Sequence, residues 1–406
     1  MTDASKDIGK ADYAILGGGM AGLTMASTLL RRIEPESSVV VVEPRTEYTH
    51  DRTFCFWNVA PVDADCVVEH RWFRWSVRAG GKTHVAESDG YAYCYVPGDE
   101  FYKNTVDAID WAPQAKLELG TRAGEITQND DGTHRIQTDT GEIDAKWVFD
   151  TRPSPSLVES STTLQHFVGW HVRFEEPIFD PQTVTLMDFD VPQDHGLHFM
   201  YVLPFSRYEA MVESTFFSAQ VLPEATYEGY IRDYLRERLN VTDEQLERAE
   251  VVRVERGVVP MTPSQMVEPE PEGWHLLGTP GGFVRAATGY CFHATGRWAL
   301  NNLEWLEEPN GKRPPVRSSR LAWLDSVLLG YLEREPERAP EIFLQLFERV
   351  PADALVRFLS DVGTVSDAFA VMRAMPAWPF IKEAMRRGFT SPVEVREPLV
   401  GSLEES

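Results

Sequence analysis

Apolar residues in the first fifty positions come as a short run, YAILGGG, then at three and four spacing through MAGLTMASTLLRR, then as a second run, SVVVVE. A run, a helical period and a run predict strand, helix, strand. Between about 60 and 140 the pattern is strand-like with Gly and Asp turns, interrupted by a helical DEFYKNTVDAI. Two later apolar runs are also strand-like: AKWVFD ends in Asp150, and WHLLG runs into the glycine-rich turn Gly278 to Gly282. In FMYVLPFSRYEAMVESTFFS, residues 199–218, two apolar runs flank a polar turn. Alternation in its second run puts Met211, Glu213, Thr215 and Phe217 on one face and Ala210, Val212 and Phe216 on the other. From about Leu321 onward LAWLDSVLLGYL, PEIFLQLFERV, ALVRFLSDV and AFAVMRAMPAWPFIKEAMRR have helical spacing.

The glycines between the first strand and helix read Gly17-x-Gly19-x-x-Gly22, and the second strand ends in Glu43, 21 residues past Gly22. Each position has a physical task. Gly17 makes the tight turn, Gly19 lets the backbone approach a pyrophosphate, and Gly22 lets the helix lie close on the strand, while Glu43 can accept hydrogen bonds from a ribose. This signature does not separate FAD from NAD. The strand into Asp150 and Arg152 and the turn Gly278, Gly281, Gly282 favour FAD, because nucleotide-binding flavoproteins of the glutathione-reductase type return to the cofactor three times. The expected architecture is α/β: an FAD-binding Rossmann-like fold of the glutathione-reductase/hydroxybenzoate-hydroxylase type with an inserted β-sheet substrate domain and a helical C-terminal segment. Residues 1–60, 90–160 and 270–320 are assigned to the first domain, 61–89 and 161–269 to the second, and 321–406 to the helices.

Composition narrows the function. The net charge is -24, and no basic residues form a stripe that would follow phosphates, which argues against nucleic acid. Only 8 of the 39 basic residues are lysine, a balance that resembles salt-adapted proteins. Cys55, Cys66, Cys94 and Cys291 show no CxxC pair and no His at zinc-ligand spacing, so no metal site is expected and a reducing cytoplasm fits. The polar start MTDASKDIGK is not a secretory leader, and the uncharged stretch 13–30 is read as strand-turn-helix rather than a membrane span.

Five segments carry a family resemblance: DRTFCFW (51–57), FDPQTVTLMDFD (179–190), YVLPFSRYEAMVESTFFS (201–218), ERGVVPM (255–261) and GTPGGFVRAATGYCF (278–292). In order and spacing they resemble the lycopene cyclase family of carotenoid biosynthesis, and the later RFLSD and MPAWPFIKEAM look familial too. The resemblance implies an FAD enzyme that uses NAD(P)H to keep the flavin reduced. It would close ionone rings, β by default, on an acyclic carotenoid without net redox change, at the periphery of a membrane. The family's essential acid falls on Glu213, followed by Ser214 and Thr215.

Protonating a carbon-carbon double bond needs an un-ionised acid, so Glu213 must be desolvated among Met211, Phe217 and other apolar groups. Its bland alternatives are a carboxylate paired to an arginine such as Arg207 or Arg173, or an edge-strand surface residue. Tyr290, Phe292 and Trp57 are candidates to stabilise the cation through their ring faces. Arg52 is either a flavin contact or a surface ion pair. Thr288 and Gly289, in TGYCFH, are expected to open a helix whose N-terminus faces the flavin, with Thr288 as its cap. Trp378, Phe380, Ile381, Lys382, Arg386 and Arg387 suit a membrane surface or core packing. Two other functions remain open: a flavin monooxygenase, which usually carries Gly-Asp where this chain has Gly278-Thr279, and a non-catalytic flavin and carotenoid binder.

Overall fold

The computed structural model describes residues 9–262, 265–266, 272–307, 312–388 and 394–395. Its first seven-stranded sheet runs Ala115–Leu119, Val39–Glu43, Lys10–Leu16, Gly141–Asp150, His134–Thr138, Ala123–Gln128, and Trp274–Leu276 joins the end of Gly141–Asp150. The strands from Ala115–Leu119 to Gly141–Asp150 are parallel, as is Trp274–Leu276, and the apolar runs of Lys10–Leu16, Val39–Glu43 and Gly141–Asp150 are buried on both faces. Helix Met20–Leu29 lies directly on this sheet. A Cβ on Gly22 would stand 1.9 Å from the Gly17 carbonyl oxygen, so only glycine permits that approach.

The second seven-stranded sheet runs Glu250–Pro260, Leu164–Arg173, Glu209–Ser218, Leu197–Pro204, Thr183–Asp188, Arg74–Ala79, Lys82–Glu87. All its pairings are antiparallel except that of Thr183–Asp188 with Arg74–Ala79. The 199–218 stretch forms the expected hairpin, closed where Phe205 and Ser206 donate to the Glu209 carbonyl. Alternation sorts its residues as predicted. Ala210, Val212 and Phe216 pack under helix Glu224–Leu239, whereas Met211 and Phe217 face a core shared with the C-terminal helices.

Between the two sheets lies a three-stranded antiparallel sheet, Thr53–Trp57, Tyr93–Pro97, His70–Trp72. The C-terminal segment is helical as expected, with Ser319–Arg334, Ala339–Arg349, Ala352–Leu359, Val365–Ala374 and Ala377–Arg387. No helix among the described residues is long and apolar enough to cross a membrane.

Candidate active site

Glu213 sits mid-strand, on the face turned toward the small sheet. Register places Tyr201, Glu213, Gly169 and Glu255 in one row across four neighbouring strands, so all four face the same side. Cys55 and Tyr93 from the small sheet, and Tyr290 from the 278–290 loop, complete the surroundings. The Tyr93 and Tyr201 hydroxyls are 2.9 Å apart. Cys55, Tyr201, Glu213 and Tyr290 each keep some accessible surface although protein encloses them deeply. Surface of that kind lines an internal space.

Burial pushes the Glu213 carboxyl up to about 8, the nearby Glu255 charge adds to the rise, and Thr215 and Arg253 oppose it. Thr215 Oγ1 donates to Glu213 Oε1 at 2.5 Å, while Oε2 has no hydrogen-bond partner among the described residues. The pairing to Arg173 or Arg207 does not occur: Arg173 bridges Glu209 and Glu250 instead, and Glu213 makes no ion pair among the described residues. A carboxyl of this kind keeps its proton near neutral pH.

Aromatic rings wall the space. Trp57 is 2% exposed and meets Tyr93 at 4.8 Å and Tyr290 at 5.8 Å between ring centroids. Phe292 stacks on Phe54 at 4.8 Å and lies beside Phe56, one step away. Phe217 meets Phe199 edge to face, and Met211 is fully enclosed next to Gly169.

The three glycine segments converge. Gly17 has φ +99°, and a Cβ there would meet Thr151 Oγ1 at 2.5 Å. Gly278, with φ +63°, faces Ala21 of the first helix, and a Cβ on Gly281 would strike the Leu276 carbonyl. Gly282 accepts through its carbonyl from Arg317 at 2.8 Å. A Cβ on Gly19 would meet nothing within 4 Å, and helix Met20–Leu29 has no side-chain cap. Open space at uncapped N–H groups is what a pyrophosphate requires, so these residues fit FAD. Glu43 accepts from the Gly18 N–H at 2.6 Å and from Arg45, which holds its carboxyl below the usual range despite burial. Asp150 is closed by Arg152 at 2.6 Å.

Against this geometry, comparison with known proteins is decisive. A family model described as "Lycopene cyclase protein" matches residues 12–385. The chain belongs to the lycopene cyclase family. It is similar to the lycopene beta-cyclase of Pantoea ananas, with 21% identity over 91% of this chain and 96% of that protein. Among solved structures it resembles a geranylgeranyl bacteriochlorophyll reductase-like protein from Thermoplasma acidophilum, at 16% identity and TM-score 0.59, covering 93% of this chain and 99% of that one. It also resembles the flavin-dependent monooxygenase PieE in complex with FAD and substrate, at 15% identity and TM-score 0.55, covering 94% and 72%. The fold is therefore that of FAD-binding flavoproteins, shared by this lycopene cyclase family member with monooxygenases.

One sequence expectation needs correction. The helix after TGYC begins at Phe292 with Cys291 at its cap position, not at Thr288. Gly289 takes φ +70° and closes a turn in which Thr288 Oγ1 accepts from the Tyr290 N–H, so the chain cannot yet be helical. Of the residues that suit a membrane surface or core packing, Phe380 stacks on Tyr331 at 4.7 Å and Arg387 binds Glu383 and Glu333. Arg52 is half exposed, donates to the Asp51 carbonyl and stands 4.0 Å from the Asp51 carboxylate.

Sequence reasoning missed Cys55, Tyr93, Tyr201, Arg253 and Glu255, whose proximity to Glu213 depends on strand register. It also missed Arg285. This arginine is 2% exposed and binds Asp325 at 3.0 Å, Asp361 at 3.3 Å and the Phe358 carbonyl, tying the 278–290 loop to the C-terminal helices. Its signal was a lone charge inside the apolar GGFVRAATGY.

Proposed function

We propose that this lycopene cyclase family member closes β-ionone rings at the ends of an acyclic carotenoid by proton addition, with Glu213 as the acid. One observation carries the reading: a deeply enclosed carboxyl, pushed up by burial, that makes no ion pair among the described residues and lies near Cys55 and Tyr201. Glu213 delivers its proton to the terminal double bond, a tertiary cation forms on the substrate, and the neighbouring double bond attacks it to close the ring. Trp57, Tyr290 and Phe292 are the aromatic candidates to stabilise that charge, and Met211 and Phe217 help exclude the water that would trap it as an alcohol.

Gly17, Gly19, Gly22, Glu43, Gly278, Gly281 and Gly282 would hold FAD, with Asp150, Arg52, Thr288 and Gly289 at its margins. When bound and reduced at the expense of NAD(P)H, FAD supplies negative charge that favours the cation electrostatically. The uncapped start of helix Phe292–Asn301 supports an anionic ring nearby.

Attachment to a membrane surface belongs to the same reading. Val365, Phe369, Trp378, Ile381 and Met385 are all exposed on the last two helices, Trp378 by 70%, with Lys382 and Arg386 among them in a chain of charge -24. Replacing Trp378 and Ile381 by Glu is expected to abolish co-sedimentation with anionic vesicles while leaving the fold intact by circular dichroism.

The deciding experiment is anaerobic incubation with FAD, NADPH, lipid and lycopene, followed by chromatography and mass. The expected product has unchanged mass, shifted retention and a shortened chromophore. An oxygenated product formed only in air would replace the cyclase reading with a monooxygenase, and unchanged lycopene under both conditions would favour a binder.

A further inference from the structure

The row Tyr201, Glu213, Gly169, Glu255 contains two acids two strands apart, and the position between them has no side chain. Directly paired residues on adjacent strands point to the same side, so Glu213 and Glu255 rise from one face. A Cβ at Gly169 would meet Met211 Sδ at 3.0 Å and both Cβ and Cγ of Glu213 at 3.4 Å. The first carbons of the Glu213 side chain thus border the space over the glycine, a lane without a side chain, and Glu255 stands on the strand beyond it.

Glu255 is 4% exposed and fully engaged on its far side. Its Oε2 accepts from Arg253 Nη1 at 2.8 Å, its Oε1 accepts from the Thr53 N–H at 3.0 Å, and Arg253 Nη2 donates to Thr53 Oγ1 at 2.9 Å. These three bonds tie the edge strand of the large sheet to the first strand of the small one. They also hold the carboxylate at a fixed place beside the lane, where water screens little.

The other polar groups facing Glu213 are Thr215 on its own strand, Tyr201, Cys55, and Tyr93 and Tyr290 behind them. Apart from Thr215 and Arg253, each is a neutral hydroxyl or thiol whose own ionisation is pushed far up by burial. Glu255 is therefore the negative charge in position to act on Glu213, and Arg253, the positive one, is turned to Glu255.

We propose that Glu255, fixed by Arg253 and Thr53, is a positioning residue that keeps the proton on Glu213 by acting across the side-chain-free lane at Gly169. It touches no substrate in this role. The geometry separates two tasks between two similar carboxyls: the one with an enclosed, unpaired oxygen carries the proton, and the one bonded to an arginine opposes its neighbour's ionisation.

This inference rests on Glu213 being the acid, and its test reads the Glu213 proton directly. The protonated carboxyl band of Glu213 is identified by infrared difference between the FAD-loaded wild type and Glu213→Gln, and is followed from pH 5 to 10. Glu255→Gln is expected to lower its midpoint by about one pH unit, and Glu255→Asp to restore most of that shift. Should Glu255→Gln not fold because Arg253 is left buried and unpaired, the double variant Arg253→Met, Glu255→Gln removes both charges and is expected to lower the midpoint by a smaller amount. An unchanged midpoint in the folded variants overturns the proposal. A wild type with no protonated Glu213 band at pH 7 overturns the acid role itself, which is a different failure.

Discussion

At the scale of single residues, Glu213 makes opposite demands on chemistry and on stability. Its carboxyl is raised from an ordinary value of 4.5 to about 8, so between those pH values the folded chain holds a proton that the unfolded chain has released. Stability then falls as pH rises through that window. Glu213→Gln is expected to remove this decline and to unfold at higher urea than wild type at pH 8.5, while retaining FAD and losing cyclisation by at least about 100-fold, the usual scale for deleting a general acid. Thr215→Val tests the same site from the other direction. Its hydroxyl favours the ionised carboxylate, so removing it should move the alkaline limb of the pH-rate profile upward. Gly17→Ala belongs here as well: with φ +99° and Thr151 Oγ1 at 2.5 Å, the added methyl should empty the purified protein of flavin, measured by absorbance at the flavin band.

At the scale of elements, the buried Arg285 cluster couples the third glycine segment to the helices that roof the core. Arg285→Met leaves Asp325 fully enclosed without its partner, and Asp325 is already raised by burial despite that arginine. A loss of about 3–5 kcal/mol in urea unfolding is expected, the cost of removing one member of a buried ion pair. How much of this was legible beforehand divides by physical cause. The glycine signature, the 199–218 hairpin and the C-terminal helices were readable because local spacing alone specifies turn, face and period. The face of Glu213 followed from alternation within one strand. Its neighbours did not, because Cys55, Tyr93, Tyr201 and Glu255 reach it through pairing register across two sheets, which no local pattern encodes. The start of helix Phe292–Asn301 was misplaced for a related reason: Gly289 looks like an entrance to a helix, yet a Cβ there would strike Gln165 Oε1 at 2.4 Å, so a strand of the other sheet decides its conformation.

At the scale of the whole molecule, two enclosed histidines set the acid limit. His166 and His198 flank the ring of Phe216, are 0% exposed, and bind Tyr227, Ser218, Ser214 and the Pro192 carbonyl. Burial lowers both to about 4 from an ordinary 6.5. Below pH 6.5 the unfolded chain gains protons that the folded one refuses, so stability should fall with pH at up to about 1.4 kcal/mol per unit for each histidine. The two windows overlap from 4.5 to 6.5, where the gain from two histidines outweighs the loss from one carboxyl, so urea midpoints across pH 4.5–8.5 are expected to peak near the top of the histidine window and to decline above it as Glu213 loses its proton. Charge of -24 adds a salt dependence: thermal midpoints should rise from 0.05 to 1 M KCl as self-repulsion is screened. The sheet order also dictates a sequence of events during synthesis. Strand Trp274–Leu276 completes the glycine-bearing sheet only after the chain has emitted the whole second sheet, whose hairpin of Arg74–Ala79 and Lys82–Glu87 was made long before Thr183–Asp188, the strand that joins it to the rest. Neither sheet can close early, so the nascent chain must wait with open strand edges, and FAD added to a refolding reaction should be captured only in the slowest phase.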